Sequence, residues 1–368
     1  MTAATQHLVL VGGGHSHALF LKHWAEQPLP NVNITLISPQ RYTPYSGMLP
    51  GLIAGHYQFH ETHIDLQSVC LKAGAKLLLQ SVVSIDTSCK CLVTDNHESV
   101  SFDVLSINTG ITPALPQSLL GKVVPVKPIV EFFPRWQSEI DTLQQLPVSE
   151  ARDYAVVGGG AAGVELVLAM QHRLSQPDVA VRVSLTLLFR GDNPLEGYST
   201  SVRNKVVGLL NRSGIRLSPD TDVTAEYLAH QGFDRVFWCT QAQAAGWLRQ
   251  TDLQLSEHGF VAVNSHLQSL SCPDVFAAGD AADFVEKSLP KAGVYAVRQA
   301  ATLDFNIRAR LQQQGMQPYR PQHSFLSLLA CGGQTAIAAR VNGWLPAFCG
   351  RWVWLWKNYI DRKFMDQF

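Results

Sequence analysis

Tyr154-Ala155-Val156-Val157-Gly158-Gly159-Gly160-Ala161-Ala162-Gly163-Val164-Glu165 is the stretch on which the reading of this chain turns. An apolar run ends in glycines and continues over 164–174 in small and apolar residues suited to a helix lying close on a sheet. Strand, tight turn and helix in that order open a dinucleotide-binding βαβ unit. Gly158, Gly160 and Gly163 fill all three positions of GxGxxG. Glycines there let the backbone turn and approach a pyrophosphate, which lies at the positive end of the helix.

Working outward, the pattern occurs again near the start, as Val9-Leu10-Val11-Gly12-Gly13-Gly14-His15-Ser16-His17. Gly12 and Gly14 take the first two glycine positions, and His17 stands where the third belongs. Two such openings form an internal repeat, which is more specific than either alone. Each is followed by a partner strand, over 33–37 and 184–190, whose end usually carries an acid that grips a ribose hydroxyl. Ser38 and Phe189 occupy those places. Arg190, beside Phe189, is read either as the acceptor of a 2′-phosphate, which favours NADP over NAD, or as a solvated arginine.

The remaining punctuation is ordered around these turns. Arg41-Tyr42-Thr43-Pro44-Tyr45-Ser46-Gly47-Met48-Leu49-Pro50-Gly51 is rich in proline, glycine and aromatics at the carboxyl end of a strand, and is expected to face a ligand. Short β-like runs over 75–107 end in a buried strand that stops at Thr109-Gly110. The proline-bounded stretch 113–128 marks a crossing between domains. Val275-Phe276-Ala277-Ala278-Gly279-Asp280 is a short buried strand that delivers Gly279 for close approach and Asp280 as a carboxylate facing a polyol or ribose.

Bulk properties narrow the classes. A chain of 368 residues is long for one core, so two or three domains are expected. Lys plus Arg equals Asp plus Glu at 29 each, so no global field points to nucleic acid. The first residues lack a basic n-region, no cleaved signal peptide is expected, and no apolar run is long enough to span a bilayer. The seven scattered cysteines form no CxxC and are expected as reduced thiols, with Cys89-Lys90-Cys91 read as neighbouring positions of a hairpin strand. His15 and His17 are read as turn residues around phosphates, and no metal is assigned.

With Gly12 to Gly14, Thr109-Gly110, Gly158 to Gly163 and Val275 to Asp280 in this order, the chain resembles the two-dinucleotide-binding flavoprotein superfamily that includes the pyridine nucleotide–disulfide oxidoreductases. The resemblance implies an α/β fold of two Rossmann-like domains, the second inserted in the first. An FAD domain would occupy 1–118 and 269–325, an NAD(P) domain 119–268, and an aromatic-rich helical tail 326–368. It implies FAD pyrophosphate over Gly12, Gly14 and His15, Asp280 on the ribityl chain, and Thr109 and Gly110 close by. Further FAD contacts are expected at Ser16, Ser38, Arg41, Pro44, Val82, Gly279, Lys291, Ala292 and Gly293. The pyridine nucleotide would take Gly158, Gly160, Gly163 and Arg190.

Within that superfamily the chain lacks the cysteine pair of disulfide reductases and is similar to type II NADH:quinone oxidoreductases, including Leu326 to Gly333 and the tryptophan-rich end. A finer similarity, carried by Gly12 to His17, Arg41 to Gly51 and Arg351 to Lys357, is to the flavoprotein module fused to selenide, water dikinase. With the chain ending at Phe368, the dikinase itself is not expected. Two departures stand out. Gly293 replaces the first glutamine of the flavin-side helix of quinone reductases, and Gln241 replaces a glycine two residues after the position of Cys239.

The expected activity is therefore hydride transfer from NAD(P)H to FAD and then to a small-molecule acceptor, a quinone or another compound, without a redox-active disulfide. Lys291 is read as stabilising anionic reduced flavin, or as a surface lysine. Glu165 is read as a proton relay, or as a structural carboxylate in the first turn of its helix. The alternative is a flavin-binding accessory or sensor protein with a degenerate NAD(P) site, linked to selenium metabolism through the fused-module resemblance. In 344–368, Trp344, Trp352, Trp354, Trp356, Tyr359, Phe364 and Phe368 are mixed with Arg351, Lys357, Arg362 and Lys363. Trp352, Trp356, Tyr359 and Lys363 share a helical face that suits a membrane surface, the protein's own flavin domain or a homodimer interface. The expected location is cytoplasmic, peripheral on the inner membrane face where the tail meets lipid.

Overall fold

The computed structural model of the protein describes residues 4–240, 242–287, 289–341 and 347–368. β1 (Gln6–Val11) leads through the first glycine turn into α1 (His15–Glu26) and returns as β2 (Val32–Ile37). β3 (Lys76–Leu78) and β4 (Val104–Ile107) continue that sheet. The second unit runs through β5 (Val124–Pro125), α2 (Ile129–Gln144), β6 (Ala151–Val157), α3 (Ala161–Leu174), β7 (Arg182–Leu188), β8 (Arg216–Ser218) and β9 (Arg235–Trp238). β10 (Val275–Ala277) and α4 (Gly293–Leu311) then complete the first unit.

Both sheets are five-stranded and parallel, in the orders β10-β4-β1-β2-β3 and β5-β9-β6-β7-β8. Helical crossovers cover both faces of such sheets, so their central strands read as continuous apolar runs. Leu8 to Val11 and Tyr154 to Val157 are buried throughout for this reason. Each glycine turn therefore leaves the carboxyl end of a central strand, where open α/β sheets take their ligands.

Thr112–Pro113 pairs antiparallel with Ala242–Gln243, so the chain leaves and re-enters the first unit at one place. Leu248, Leu253, Val261, Val263 and Leu267, which the sequence reading puts with the second unit, pack in the first core. Short apolar strands on either side of a crossing look alike in composition, so composition alone does not mark where the chain returns.

The runs before β4 form a three-stranded antiparallel sheet, Val82–Asp86, Cys91–Thr94 and Ser99–Ser101. At its first turn Cys89 and Cys91 are joined as a disulfide, with Cα atoms 5.5 Å apart, where the sequence reading has thiols. Cys89 and Lys90 lie in the turn that precedes the strand beginning at Cys91, and Lys90 has φ 49°. Cys70, Cys239, Cys272, Cys331 and Cys349 are free.

The tail is an antiparallel sheet, β11 (Phe325–Ala330), β12 (Ala336–Val341) and β13 (Phe348–Gly350), followed by α5 (Arg351–Met365). α5 buries Val353, Lys357, Asp361 and Phe364. Lys357 Nζ donates to Asp361 Oδ2 at 2.5 Å and to the Gly47 carbonyl at 2.6 Å. The face made by Trp352, Trp356 and Tyr359 points outward, with 54 %, 40 % and 63 % exposure. It does not cover the flavin domain. Trp344 lies outside the described residues, and no helix among those described is long and apolar enough to cross a membrane.

Candidate active site

Gly12, Gly14 and Gly163 leave no room for a side chain, for different reasons. Gly12 has φ +92°, and a Cβ on it would stand 2.5 Å from the Asn108 carbonyl oxygen. A Cβ on Gly14 would stand 2.2 Å from Asn108 Oδ1, and one on Gly163 only 1.9 Å from the Gly158 carbonyl oxygen. A Cβ on Gly160 meets nothing within 4 Å. α1 and α3 start at Gly14 and Gly160 with no side-chain cap and no acid in the first turn. Unopposed N–H groups and the positive helix end are a seat for an anionic group. Glu165 lies beyond that first turn, which corrects its reading as a first-turn carboxylate.

Around the first turn, Asn108 is the knot, and the sequence reading missed it. Buried at the end of β4, it accepts from Ser16 N at 3.2 Å and donates to the Ala278 carbonyl at 2.7 Å. Ser16 Oγ donates to the Ala296 carbonyl at 2.7 Å, and Gln299 Oε1 accepts from Gly279 N at 2.6 Å. One amide and two further hydrogen bonds thus tie α1, β4, β10 and α4 together at the cleft. An asparagine between a buried strand and Thr109-Gly110 was the available signal.

His17 is not a phosphate-facing residue. Its ring lies beneath the turn, with Nδ1 2.6 Å from the Gly12 carbonyl and Nε2 2.8 Å from Ser106 Oγ. Burial pushes it down to about 4, so the ring is neutral. It replaces the missing glycine by a bridge from turn to β4. His17→Ala strands both partners in the core and opens a void, so it is expected to lower stability by about 2–4 kcal/mol. A denaturant melt reads this, and a loss below about 0.5 kcal/mol would show the bridge to be idle.

The other predicted residues divide clearly. His15 is half-buried, with Nε2 3.3 Å from the Pro44 carbonyl and its ring against Tyr45 and Phe364. Burial lowers its pKa, so it too is uncharged at neutral pH. Asp280 follows Gly279 (φ +65°), and its Oδ2 is 3.9 Å from Lys127 Nζ. Thr109 Oγ1 is buried without a partner, and Gly110 beside it has φ +76°. Ala292 and Gly293 start α4, and a Cβ on Gly293 would approach Ser46 Oγ to 3.3 Å. Lys291 Nζ donates to the Ala282 carbonyl at 2.6 Å and lies 3.7 Å from the Phe260 ring centre. It is neither a free surface lysine nor turned into open space. Ser38 Oγ donates to the Gln40 carbonyl at 2.9 Å, Arg41 grips Asp65 through two bonds, and Val82 is buried in its strand.

These residues fit FAD. An uncapped helix end suits the pyrophosphate, Asp280 suits polyol hydroxyls, and the orphaned Thr109 hydroxyl has no partner among the described residues.

At the second turn, Phe189 packs on Gly159, whose Cβ would stand 2.8 Å from Phe189 Cβ. Arg190 is exposed and paired with Asp222 at 2.8 Å. Gln241 lies outside the described residues. Glu165 Oε1 accepts from Ala330 N at 2.7 Å. Burial pushes its carboxyl up to about 7, against the pull of Lys357 and with help from Asp361. Because the folded state holds this proton more tightly than the unfolded chain, the linked stability is complete below the ordinary value of 4.5 and is lost as pH rises through about 7. Glu165→Gln lacks this dependence. Melting curves from pH 5 to 8 should show the wild type losing stability relative to the variant, and a constant gap would contradict the assignment.

Comparison with known proteins places this geometry. Residues 6–300 match the family "Pyridine nucleotide-disulphide oxidoreductase". Demethylphylloquinone reductase NdbB from Synechocystis sp. is 24 % identical, over 97 % of this chain and 93 % of that protein. Ferroptosis suppressor protein 1 from Xenopus laevis is 25 % identical, over 73 % and 72 %. Among solved structures, sulfide:quinone oxidoreductase from Aquifex aeolicus superposes with a TM-score of 0.78 at 17 % identity, covering 98 % of this chain and 92 % of that one. NDH2 from Plasmodium falciparum in complex with NADH gives 0.77 at 14 %, covering 98 % and 97 %.

Proposed function

The chain belongs to the pyridine nucleotide-disulphide oxidoreductase family, and from that premise we propose that its electron acceptor is a small molecule of the quinone class. It is an FAD-dependent NAD(P)H oxidoreductase. When bound, FAD supplies the two-electron carrier between a hydride donor and the second acceptor. The observation that carries this reading is the pair of uncapped helix ends, each at the carboxyl end of a parallel sheet.

Gly12, Gly14, His15 and Ser16 hold the FAD pyrophosphate, and Asp280 and Thr109 bind polar groups beyond it. Ser38, Arg41, Pro44 and Val82 border the adenosine end. Gly279, Lys291, Ala292 and Gly293 border the ring end. Gly158, Gly160 and Gly163 seat the pyridine nucleotide, and Arg190 stands where a 2′-phosphate would reach. Reducing a quinone consumes protons as well as electrons, and Glu165 holds one near neutral pH. The Cys239 thiol is pushed up to about 12 and Cys331 higher still by burial, so both stay protonated and neither forms a dithiol relay.

The quinone reading is supported by the activity for which the cyanobacterial relative is named, a protein this chain matches almost end to end. The outward aromatic face of α5, flanked by exposed Arg351 and Lys363, suits a lipid surface, where apolar quinones partition. A second copy of the chain is the competing occupant of that face. We place the protein at the inner membrane face on this ground.

Anaerobic titration with NADH and then NADPH should bleach the yellow protein, and a water-soluble quinone should reoxidise it faster than oxygen or selenite. No bleaching by either nucleotide would favour a flavin-binding sensor. Faster reoxidation by selenite would favour the selenium-linked reading.

A further inference from the structure

Lys127 is a cation close to the first cleft. It stands between β5 and α2, on the segment that carries the chain from the first unit into the second. Its side chain is partly exposed, and it lies at the long distance of 3.9 Å from Asp280 Oδ2. Its charge also acts on His15 at the first glycine turn and on Cys239 at the second. The Cys239 carbonyl is the atom a Cβ on Gly158 would strike at 2.8 Å. One ammonium therefore stands within electrostatic reach of both nucleotide seats.

The other cations near the cleft are committed elsewhere. Lys291 is held by the Ala282 carbonyl and the Phe260 ring, Lys357 by Asp361 and the Gly47 carbonyl, and Arg41 by Asp65. Among the described residues Lys127 has a single loose ion pair, with the carboxylate already assigned to polyol hydroxyls. A hydride delivers two electrons and one proton, so the ring that takes it gains one negative charge while NAD(P)H leaves as NAD(P)+. A preorganised cation beside that charge stabilises the reduced form, and does so more strongly where water is scarce.

We propose that Lys127, rather than Lys291, is the catalytic cation that faces the flavin ring and stabilises its reduced, negatively charged form. The proposal rests on FAD occupying the first cleft. Lys127 acts only by its charge.

The test is the midpoint potential of the FAD-loaded full chain, measured by equilibration with a reference dye. Lys127→Met should lower it by the equivalent of about a tenfold drop in the reduced-to-oxidised ratio at fixed potential, the effect of one charge acting across roughly 10 Å of protein. Lys127→Arg should stay within about threefold of wild type. An unchanged potential in Lys127→Met, or a drop of the same size in Lys127→Arg, overturns the proposal. Lys127→Gln, which keeps a hydrogen-bond donor for Asp280, is measured alongside. Loss of FAD from both neutral variants would make Lys127 a structural partner of Asp280, and so overturns the proposal as well. A wild-type chain that holds no FAD would instead refute the proposed function.

Discussion

Gly163→Ala is expected to abolish reduction by NAD(P)H while the protein keeps its FAD. The new methyl would lie 1.9 Å from the Gly158 carbonyl oxygen and 2.9 Å from its carbon. Both are backbone atoms of the same turn, so no side chain can yield. Relief requires α3 to lift from β6 or the turn to open. α3 buries Val164, Val167 and Met170 in the second core, which resists such a shift by about 1–3 kcal/mol. Either escape displaces the uncapped helix end from the nucleotide. A misplacement of about 1 Å costs on the order of 100-fold in rate. Stopped-flow bleaching under nitrogen should show that loss for both nucleotides, with dithionite bleaching and flavin content intact because the first core is built separately. A rate within about threefold of wild type would remove Gly163 from the argument. Gly160→Ala is the contrast. Its methyl meets no protein atom, so it should melt as wild type and raise the KM for the nucleotide alone.

Gly12→Ala should yield a colourless protein. Here φ is +92°, a region costly for alanine, and the methyl would meet the Asn108 carbonyl at 2.5 Å and Thr109 Cα at 2.7 Å. Asn108 cannot move alone, because its side chain holds Ser16 N on α1 and the Ala278 carbonyl after β10. The disturbance therefore reaches three of the elements that form the FAD seat. Flavin content, read from the ratio of visible to ultraviolet absorbance, should fall to about a tenth or less, and the melting temperature should fall with it. A fully yellow variant would show that the turn has slack the contacts do not reveal.

Much of the fold was legible because its requirements are local. A parallel strand buried on both faces must read as an apolar run, and a turn with positive φ or a close backbone approach must read as glycine. Both openings, the Thr109-Gly110 stop and Gly279-Asp280 follow from such short-range demands. The helical face of Trp352, Trp356 and Tyr359 was legible too, from periodicity. Its outward direction was not, because that depends on Lys357 and Asp361 finding Gly47 and each other beneath α5.

The amino-acid sequence by itself determined two dinucleotide-type units, their order and the carboxylate that follows β10. Tertiary structure alone decided what each polar side chain does. His17 went under the turn, Asn108 became the joint of three elements, Lys291 was tied to Ala282, and Lys127 was brought to Asp280 from a distant segment. The physical reason is the range of the interaction. Backbone conformation and burial pattern are written within a few consecutive residues, whereas a hydrogen bond or a Coulomb contact forms between whichever groups folding brings together.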